Sequence, residues 1–347
     1  MKRAVLTEPG QFVLEDRPRP SPGPNEVLVS IADVGICGSD VHYYTHGRIG
    51  EYVVEEPLVL GHESAGVVVE VGSAVTDLEV GDRVALEPGV PCRNCEYCRR
   101  GRYNLCPGVE FMATPPIDGA FAEYVVWPGD FAYRLPDAVS TAAGTLCEPL
   151  SVCLHATARG DVGVGDTVLI TGCGPIGMLA LEAATVRGAS KVYVADVVSA
   201  KLERALERGA NGAIDVSERD LEAAISDQTD GRGVDVVIEA SGAHTAIAAT
   251  PRVVRRGGTI VLVGLSSRDE TPLETNQIVD RELDLVGSMR FRHTYPDAID
   301  LLADGSVDVE GLIDFTASLE ELDGAFQRVR DDDEVIKGLI SVTDEVV

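Results

Sequence analysis

Three observations predict an α/β protein of two domains for this chain of 347 residues. The length exceeds what one hydrophobic core usually serves, so the chain should divide. Up to about residue 150 short β-branched runs alternate with Gly and Pro, whereas from about residue 160 strands alternate with helical periods, the pattern of a parallel sheet. A glycine motif, Gly172-Cys173-Gly174-Pro175-Ile176-Gly177, stands where the first of those later strands meets the first helix.

In chain order, residues 26–31 and 65–71 are β-branched runs closed by turn residues and read as strands. Residues 167–171 form a continuous apolar strand, 176–186 carry helical spacing, and 191–195 are strand again. Strands follow at 234–238 and 259–263, with Ala-rich helices between them. The run Asp331-Asp332-Asp333-Glu334 reads as a solvated turn. No internal repeat of solenoid period is visible.

Apolar residues make up 45% of the chain, which suits a folded globular protein, and no apolar run is long enough to cross a bilayer. The N-terminus is basic through Lys2 and Arg3, but Thr7-Glu8-Pro9-Gly10 cuts it off before a signal-peptide core can form, so a cytoplasmic protein is expected. Acidic residues number 57 against 29 basic ones, a net charge of −28, and only Lys2, Lys191, Lys201 and Lys337 are lysines. Such a surface repels phosphate backbones and anionic lipids, which excludes nucleic-acid and membrane partners. The same acidic, Lys-poor balance suits a halophilic protein whose self-repulsion is screened by concentrated salt; an ordinary acidic enzyme is the plainer reading.

Eight cysteines in a cytosolic chain point to metal or redox chemistry before disulfides. Cys92, Cys95, Cys98 and Cys106 form a C-x2-C-x2-C-x7-C run that can wrap one tetrahedral Zn²⁺ and leave no open position. Pro91, Asn94, Gly101 and Pro107 place this run in a loop. Iron–sulfur ligation or a redox pair is the alternative.

In the glycine motif, Gly172 permits a tight turn, Gly174 lets the backbone approach a pyrophosphate, and Gly177 allows close helix–strand packing. Pro175 suits a helix start, whose N-terminus favours negative charge. Asp196 ends the second strand, nineteen residues after Gly177, where a carboxylate accepts from both ribose hydroxyls and repels a 2′-phosphate. No Arg follows directly, which favours NAD⁺ over NADP⁺, although Lys201 could meet either ribose oxygens or a phosphate.

Cys37 is followed twenty-five residues later by adjacent His62 and Glu63. A thiolate, an imidazole and a carboxylate suit Zn²⁺, and three protein ligands leave a fourth position open, as a catalytic site requires. A buried Cys and a His paired with its neighbouring Glu would give the same spacing.

Residues 35–44, Gly-Ile-Cys-Gly-Ser-Asp-Val-His-Tyr-Tyr, together with Gly61-His62-Glu63, resemble the zinc-dependent medium-chain dehydrogenase/reductase superfamily. The likeness is greatest to its polyol branch, the sorbitol and xylitol dehydrogenases. Gly47-Arg48-Ile49-Gly50, Ala113-Thr114-Pro115-Pro116, Glu148-Pro149-Leu150 and Gly174-Pro175-Ile176-Gly177 agree, so the resemblance covers essentially the whole chain.

The resemblance implies a GroES-like catalytic domain over residues 1–150, completed by 289–347, and a Rossmann doubly wound parallel-sheet domain over 151–288. It implies that Cys37, His62 and Glu63 hold the catalytic zinc, with Glu148 on the water at the open position and neighbouring Cys147 in the core. The Cys92 cluster matches the superfamily's structural-zinc lobe. Ser39 and His42 match a proton relay running to solvent through the cofactor ribose; hydrogen bonding within a turn is the alternative. Tyr43, Glu148, Arg290 and Phe291 map onto polyol-binding positions, where Phe291 replaces the usual tyrosine and removes a hydroxyl. Ile176, Val263, Leu265, Ser288 and Met289 map onto cofactor-lining positions, whereas His46, His155, His244 and His293 match no ligand position. The implied activity is NAD⁺-dependent oxidation of a polyol, a small-molecule substrate, to a ketose by a homo-oligomer, commonly a tetramer. A threonine or 2,3-butanediol dehydrogenase is the alternative within the superfamily, and a non-catalytic zinc- and nucleotide-binding protein the alternative outside enzymes.

Overall fold

The computed structural model describes residues 1–266, 268 and 270–343. In chain order, the elements that build the site are β1 (Glu26–Gly35), α1 (Gly38–His46), β2 (Glu63–Val71), β3 (Arg83–Leu86), β4 (Tyr124–Pro128), β5 (Ala132–Arg134), α2 (Cys147–Arg159), β6 (Thr167–Thr171), α3 (Pro175–Val186), β7 (Lys191–Asp196), β8 (Gly212–Asp215), β9 (Val234–Glu239), β10 (Val254–Leu262), β11 (Asp284–Gly287), β12 (Ile313–Ser318) and β13 (Lys337–Ser341). The chain forms two compact units: Met1–Glu148 with the stretch from Tyr295 onward, and Pro149–Thr294.

The first unit is built on a seven-stranded sheet in the order β5-β3-β2-β1-β13-β12, with β4 also paired to β1. β1 is apolar almost throughout and nearly all of it is buried, as a central strand covered on both faces should be. Phe12, Tyr44, Phe121 and Phe326 pack ring against ring at centroid distances of 5.0–6.4 Å. Burying such a side chain contributes about 1.5–3 kcal/mol. Phe12 comes from an N-terminal hairpin, Lys2–Glu8 with Gln11–Asp16. β13 lies antiparallel to β1, with Leu339 opposite Gly35. That pairing returns the C-terminal chain to the residues just before α1.

The second unit holds a six-stranded parallel sheet in the order β8-β7-β6-β9-β10-β11, the doubly wound arrangement with β6 as its first strand. Every residue of β9 is buried, which fits its place inside the sheet. β10 starts at Val254, five residues before the expected 259, because Val254 pairs with Val234 across a register shift. β11 forms an edge with Leu285 39% exposed.

Two expected boundaries move. α2 runs unbroken through residues 149 and 150, so the first unit ends at Glu148. Residues 289–294, expected to rejoin the first unit, stay with the second; Phe291 is buried there and the Thr294 hydroxyl donates to the Ser151 carbonyl at 3.4 Å. Among the described residues no helix is long and apolar enough to cross a membrane.

Candidate active site

Cys37 is the N-cap of α1, and helix geometry decides what surrounds it. Asp40, at the third helical position, accepts from the Cys37 backbone N–H at 3.2 Å through one oxygen. Its other oxygen accepts from the Gly61 N–H at 3.1 Å and lies 3.4 Å from His62 Nδ1. One carboxylate thus ties the start of α1 to the turn before β2 and orients the imidazole, as the outer partners of metal-binding histidines do. Gly61 takes φ +89°, the left-handed region that glycine favours.

Glu63 opens β2 directly opposite Gly35 on β1. A Cβ at Gly35 would lie 2.1 Å from Glu63 Oε2, so this glycine makes the space the carboxylate occupies. Lys337, the first residue of β13, donates to Glu63 Oε2 at 2.6 Å, to Oε1 at 2.9 Å and to the Ile36 carbonyl at 3.0 Å. Burial works against the Lys337 ammonium, yet Glu63 and then Cys37 outweigh it and raise its pKa above the usual lysine value. Single ligand atoms of Cys37, His62 and Glu63 fall within 4.8 Å of one another. Soft sulfur, imidazole nitrogen and carboxylate oxygen together suit Zn²⁺.

Glu148 lies outside that 4.8 Å group but senses it. Burial pushes its carboxyl up from 4.5 to about 7, with His62 opposing and Glu63 reinforcing the rise. Cys147 beside it is fully buried, and burial alone pushes its thiol up to about 12. Ser39 and His42 sit on the first turns of α1, His42 on its exposed side and Tyr43 buried. Partial burial, then the neighbouring His46, lower the His42 pKa and favour its neutral ring.

The second cysteine group lies in the same unit. The sulfurs of Cys92, Cys95, Cys98 and Cys106 also lie within 4.8 Å of one another. Cys95 caps the short helix Glu96–Arg99, and its sulfur lies 3.4 Å from that of Cys98. Two polar contacts help hold this loop from outside. Tyr103 Oη donates to buried Glu87 Oε1 at 2.8 Å, and Arg93 forms a two-pronged ion pair with Asp130. Four thiolates in one cluster suit a closed tetrahedral metal site.

In the second unit, Gly172 (φ +89°) follows β6, and a Cβ there would come within 2.9 Å of Ser241. A Cβ at Gly174 would meet open space, leaving the backbone approachable, and one at Gly177 would lie 1.8 Å from the Gly172 carbonyl. Asp196 accepts from the N–H of Cys173 at 2.5 Å, Val197 at 2.7 Å and Val198 at 3.0 Å. Its carboxylate is therefore held at the carboxyl edge of the sheet, where dinucleotides bind. Ile176, Lys201, Val263 and Ser288 are half-buried in this unit, and Leu265 and Met289 are exposed. Arg290 and Phe291, mapped onto substrate positions, also belong to the second unit and not to the one holding Tyr43 and Glu148.

Three functional neighbours escaped sequence reading: Asp40, Glu87 and Lys337. Asp40 had a signal, since an acidic residue three after a helix-capping Cys is a capping pattern. Lys337 had one too. It is a lysine inside the apolar run 335–340 of a chain that otherwise avoids lysine, which asks for a buried partner.

Comparison with known proteins places this geometry among relatives. Residues 23–137 match the alcohol dehydrogenase GroES-like domain, and residues 175–304 match the zinc-binding dehydrogenase family. The chain is 46% identical to the sorbitol dehydrogenase of Bacillus subtilis, with 94% of this chain and 93% of that protein covered. It is 45% identical to the sorbitol dehydrogenase of Bos taurus, covering 93% and 91%. Among solved structures, an oxidoreductase/dehydrogenase of unknown specificity from Escherichia coli superposes with a TM-score of 0.95 at 36% identity, covering 99% of both chains.

Proposed function

Because the chain belongs to the zinc-dependent medium-chain dehydrogenase/reductase superfamily, in its polyol branch, we propose that it oxidises a secondary alcohol of a sugar alcohol to a ketose with NAD⁺. The observation that carries this reading is the donor set of half-buried Cys37 with buried His62 and Glu63, whose ligand atoms fall within 4.8 Å of one another. Zn²⁺ bound there supplies Lewis-acid polarisation of an alcohol oxygen, and NAD⁺ bound by the second unit supplies the hydride acceptor.

The chain's own residues do the rest. Cys37, His62 and Glu63 bind the metal, Asp40 fixes the His62 ring, and Lys337 balances the charge of Glu63 and sets its direction. Glu148, a buried carboxyl whose titration responds to His62 and Glu63, is the group that meets the water or substrate oxygen at the open position. Ser39 accepts the substrate proton as it gives up its own towards His42, whose neutral ring takes a proton up and then releases it to water. Tyr43 donates to a polyol hydroxyl; the family resemblance adds Arg290 as a donor and Phe291, in place of the tyrosine usual in sorbitol dehydrogenases, as an apolar residue. The Cys92, Cys95, Cys98 and Cys106 cluster would hold a second zinc, whose closed four-thiolate ligation would make it structural.

Asp196 supports NAD⁺ over NADP⁺, because a carboxylate fixed by three backbone N–H groups cannot swing away from a 2′-phosphate. Gly172, Gly174 and Gly177 cradle the pyrophosphate and Lys201 meets the ribose; Ile176, Val263, Leu265, Ser288 and Met289 line the remaining cofactor path. The exposed β11 edge, with Leu285 uncovered, supports a homo-oligomer, which we take to be a tetramer. The net charge of −28 supports work in a salt-rich cytoplasm.

A substrate panel tests the reading. Sorbitol, xylitol, ribitol, arabinitol, threonine and 2,3-butanediol are offered to the zinc-loaded protein with NAD⁺ or NADP⁺. The best kcat/KM should fall on a polyol with NAD⁺. A best substrate of threonine or butanediol would move the chain out of the polyol branch in activity.

A further inference from the structure

Glu239 is the last residue of β9 and wholly buried, 0% exposed. A carboxylate in such a place must be fully hydrogen-bonded to be tolerated. Its donors come from different strand ends. Oε1 accepts from the Ser241 N–H at 2.9 Å, the Gly242 N–H at 3.1 Å and the Thr171 hydroxyl at 3.3 Å, and the Ser241 hydroxyl donates to the same atom. Its backbone carbonyl accepts from both Val263 and Gly264 at 2.9 Å. One residue therefore ties together the ends of β6, β9 and β10.

The segments that follow β9 and β10 meet at glycines. A Cβ at Gly264 would lie 2.2 Å from the Gly242 nitrogen and 2.9 Å from Glu239 Oε2, and one at Gly242 would lie 2.3 Å from the Leu265 carbonyl. Their heights at the carboxyl edge of the sheet are thus mutually set, with Glu239 beneath them.

In a doubly wound sheet the dinucleotide crosses the carboxyl ends of the strands at the point where strand order reverses, here between β6 and β9. Asp196 on β7 marks the adenosine side, so the nicotinamide side runs over the ends of β9 and β10. Those are the ends Glu239 holds. The adenosine side has its own anchor, because Asp196 accepts from the Cys173 N–H within the glycine turn.

We infer that Glu239 is a positioning residue for the nicotinamide half of the dinucleotide: it fixes segments 240–242 and 263–265 at the height that half requires. Its action is through these two segments. The inference rests on the NAD⁺ reading of the second unit.

The test measures Kd for NADH and for AMP, which lacks the nicotinamide half, on the full chain carrying Glu239→Ala or Glu239→Gln, at a temperature where circular dichroism shows each variant folded. In Glu239→Ala, NADH should weaken at least tenfold while AMP stays within about twofold; Glu239→Gln, which keeps one acceptor oxygen, should lie between that variant and the wild type. Should Glu239→Ala fail to fold, the NADH to AMP ratio in Glu239→Gln decides alone. An unchanged ratio, whether both affinities hold or both fall together, overturns the inference and leaves Glu239 a purely structural residue. Absence of NADH binding by the wild type would instead sink the NAD⁺ reading itself.

Discussion

Lys337 reaches Glu63 across 274 residues of chain, donating to its carboxylate at 2.6 and 2.9 Å with both side chains 1% exposed. The pair explains how a buried carboxylate is tolerated there: the Lys337 ammonium neutralises it. Replacing Lys337 by Met keeps the volume and strands the charge. The zinc-stripped Lys337→Met protein should lose roughly 3–5 kcal/mol, the usual cost of orphaning a buried ion. Zn²⁺ should restore more stability to this variant than to the wild type, read as the shift in urea midpoint on adding metal. Equal shifts would show that Lys337 does not balance Glu63.

Gly35 provides the room Glu63 occupies, since a Cβ would meet Oε2 at 2.1 Å. Gly35→Ala should displace the carboxylate and empty the catalytic position while sparing the Cys92 cluster. Metal analysis should show zinc content falling from two per chain to about one. Full retention of both metals in a folded variant would remove Glu63 from the ligand set.

Glu87 joins the cysteine loop to the sheet through Tyr103 and Tyr133, at 2.8 and 3.0 Å. Burial pushes its carboxyl up from 4.5 to about 7, against the two tyrosine hydrogen bonds. The folded protein then keeps a proton that the unfolded chain releases between pH 4.5 and about 7, so this group's contribution falls as pH rises through that window. The loss is at most on the order of 3 kcal/mol. Urea melts at pH 5 and pH 7.5 should show a smaller fall for Glu87→Gln than for the wild type, and identical falls would exclude this proton.

Asp196→Ala frees the carboxyl edge of β7. NAD⁺ should lose at least tenfold in kcat/KM while NADP⁺ loses little, narrowing the preference between them. Retention of the wild-type preference would place discrimination elsewhere.

The net charge of −28 predicts that melting temperature rises from low salt to molar KCl, as screening relieves self-repulsion. A flat or falling response would leave the acidity as composition without adaptation.

What could be read from sequence was whatever local spacing encodes. The cysteine run, the glycine turn and Asp196 lie within short stretches whose residue types and offsets restate their chemistry. The parallel strands 167–171 and 191–195 were legible because their apolar runs are continuous. Lys337 was not, because its partner is set by β13 pairing with β1, a contact between distant ends of the chain. Glu239 was hidden for the same reason: inside a strand it looks like an ordinary acidic end, and only the convergence of Thr171, Ser241 and Gly242 shows its purpose.

The central claim is that the Cys37, His62 and Glu63 set carries polyol oxidation. Its most direct measurement is NADH formation from NAD⁺ with sorbitol and xylitol, comparing wild type with Cys37→Ser after both are dialysed against Zn²⁺. We expect polyol-dependent NADH from the wild type, and a loss of at least a thousandfold in Cys37→Ser with the Cys92-cluster zinc retained. No NADH from any polyol or diol at full zinc occupancy, or undiminished turnover in Cys37→Ser, would contradict it.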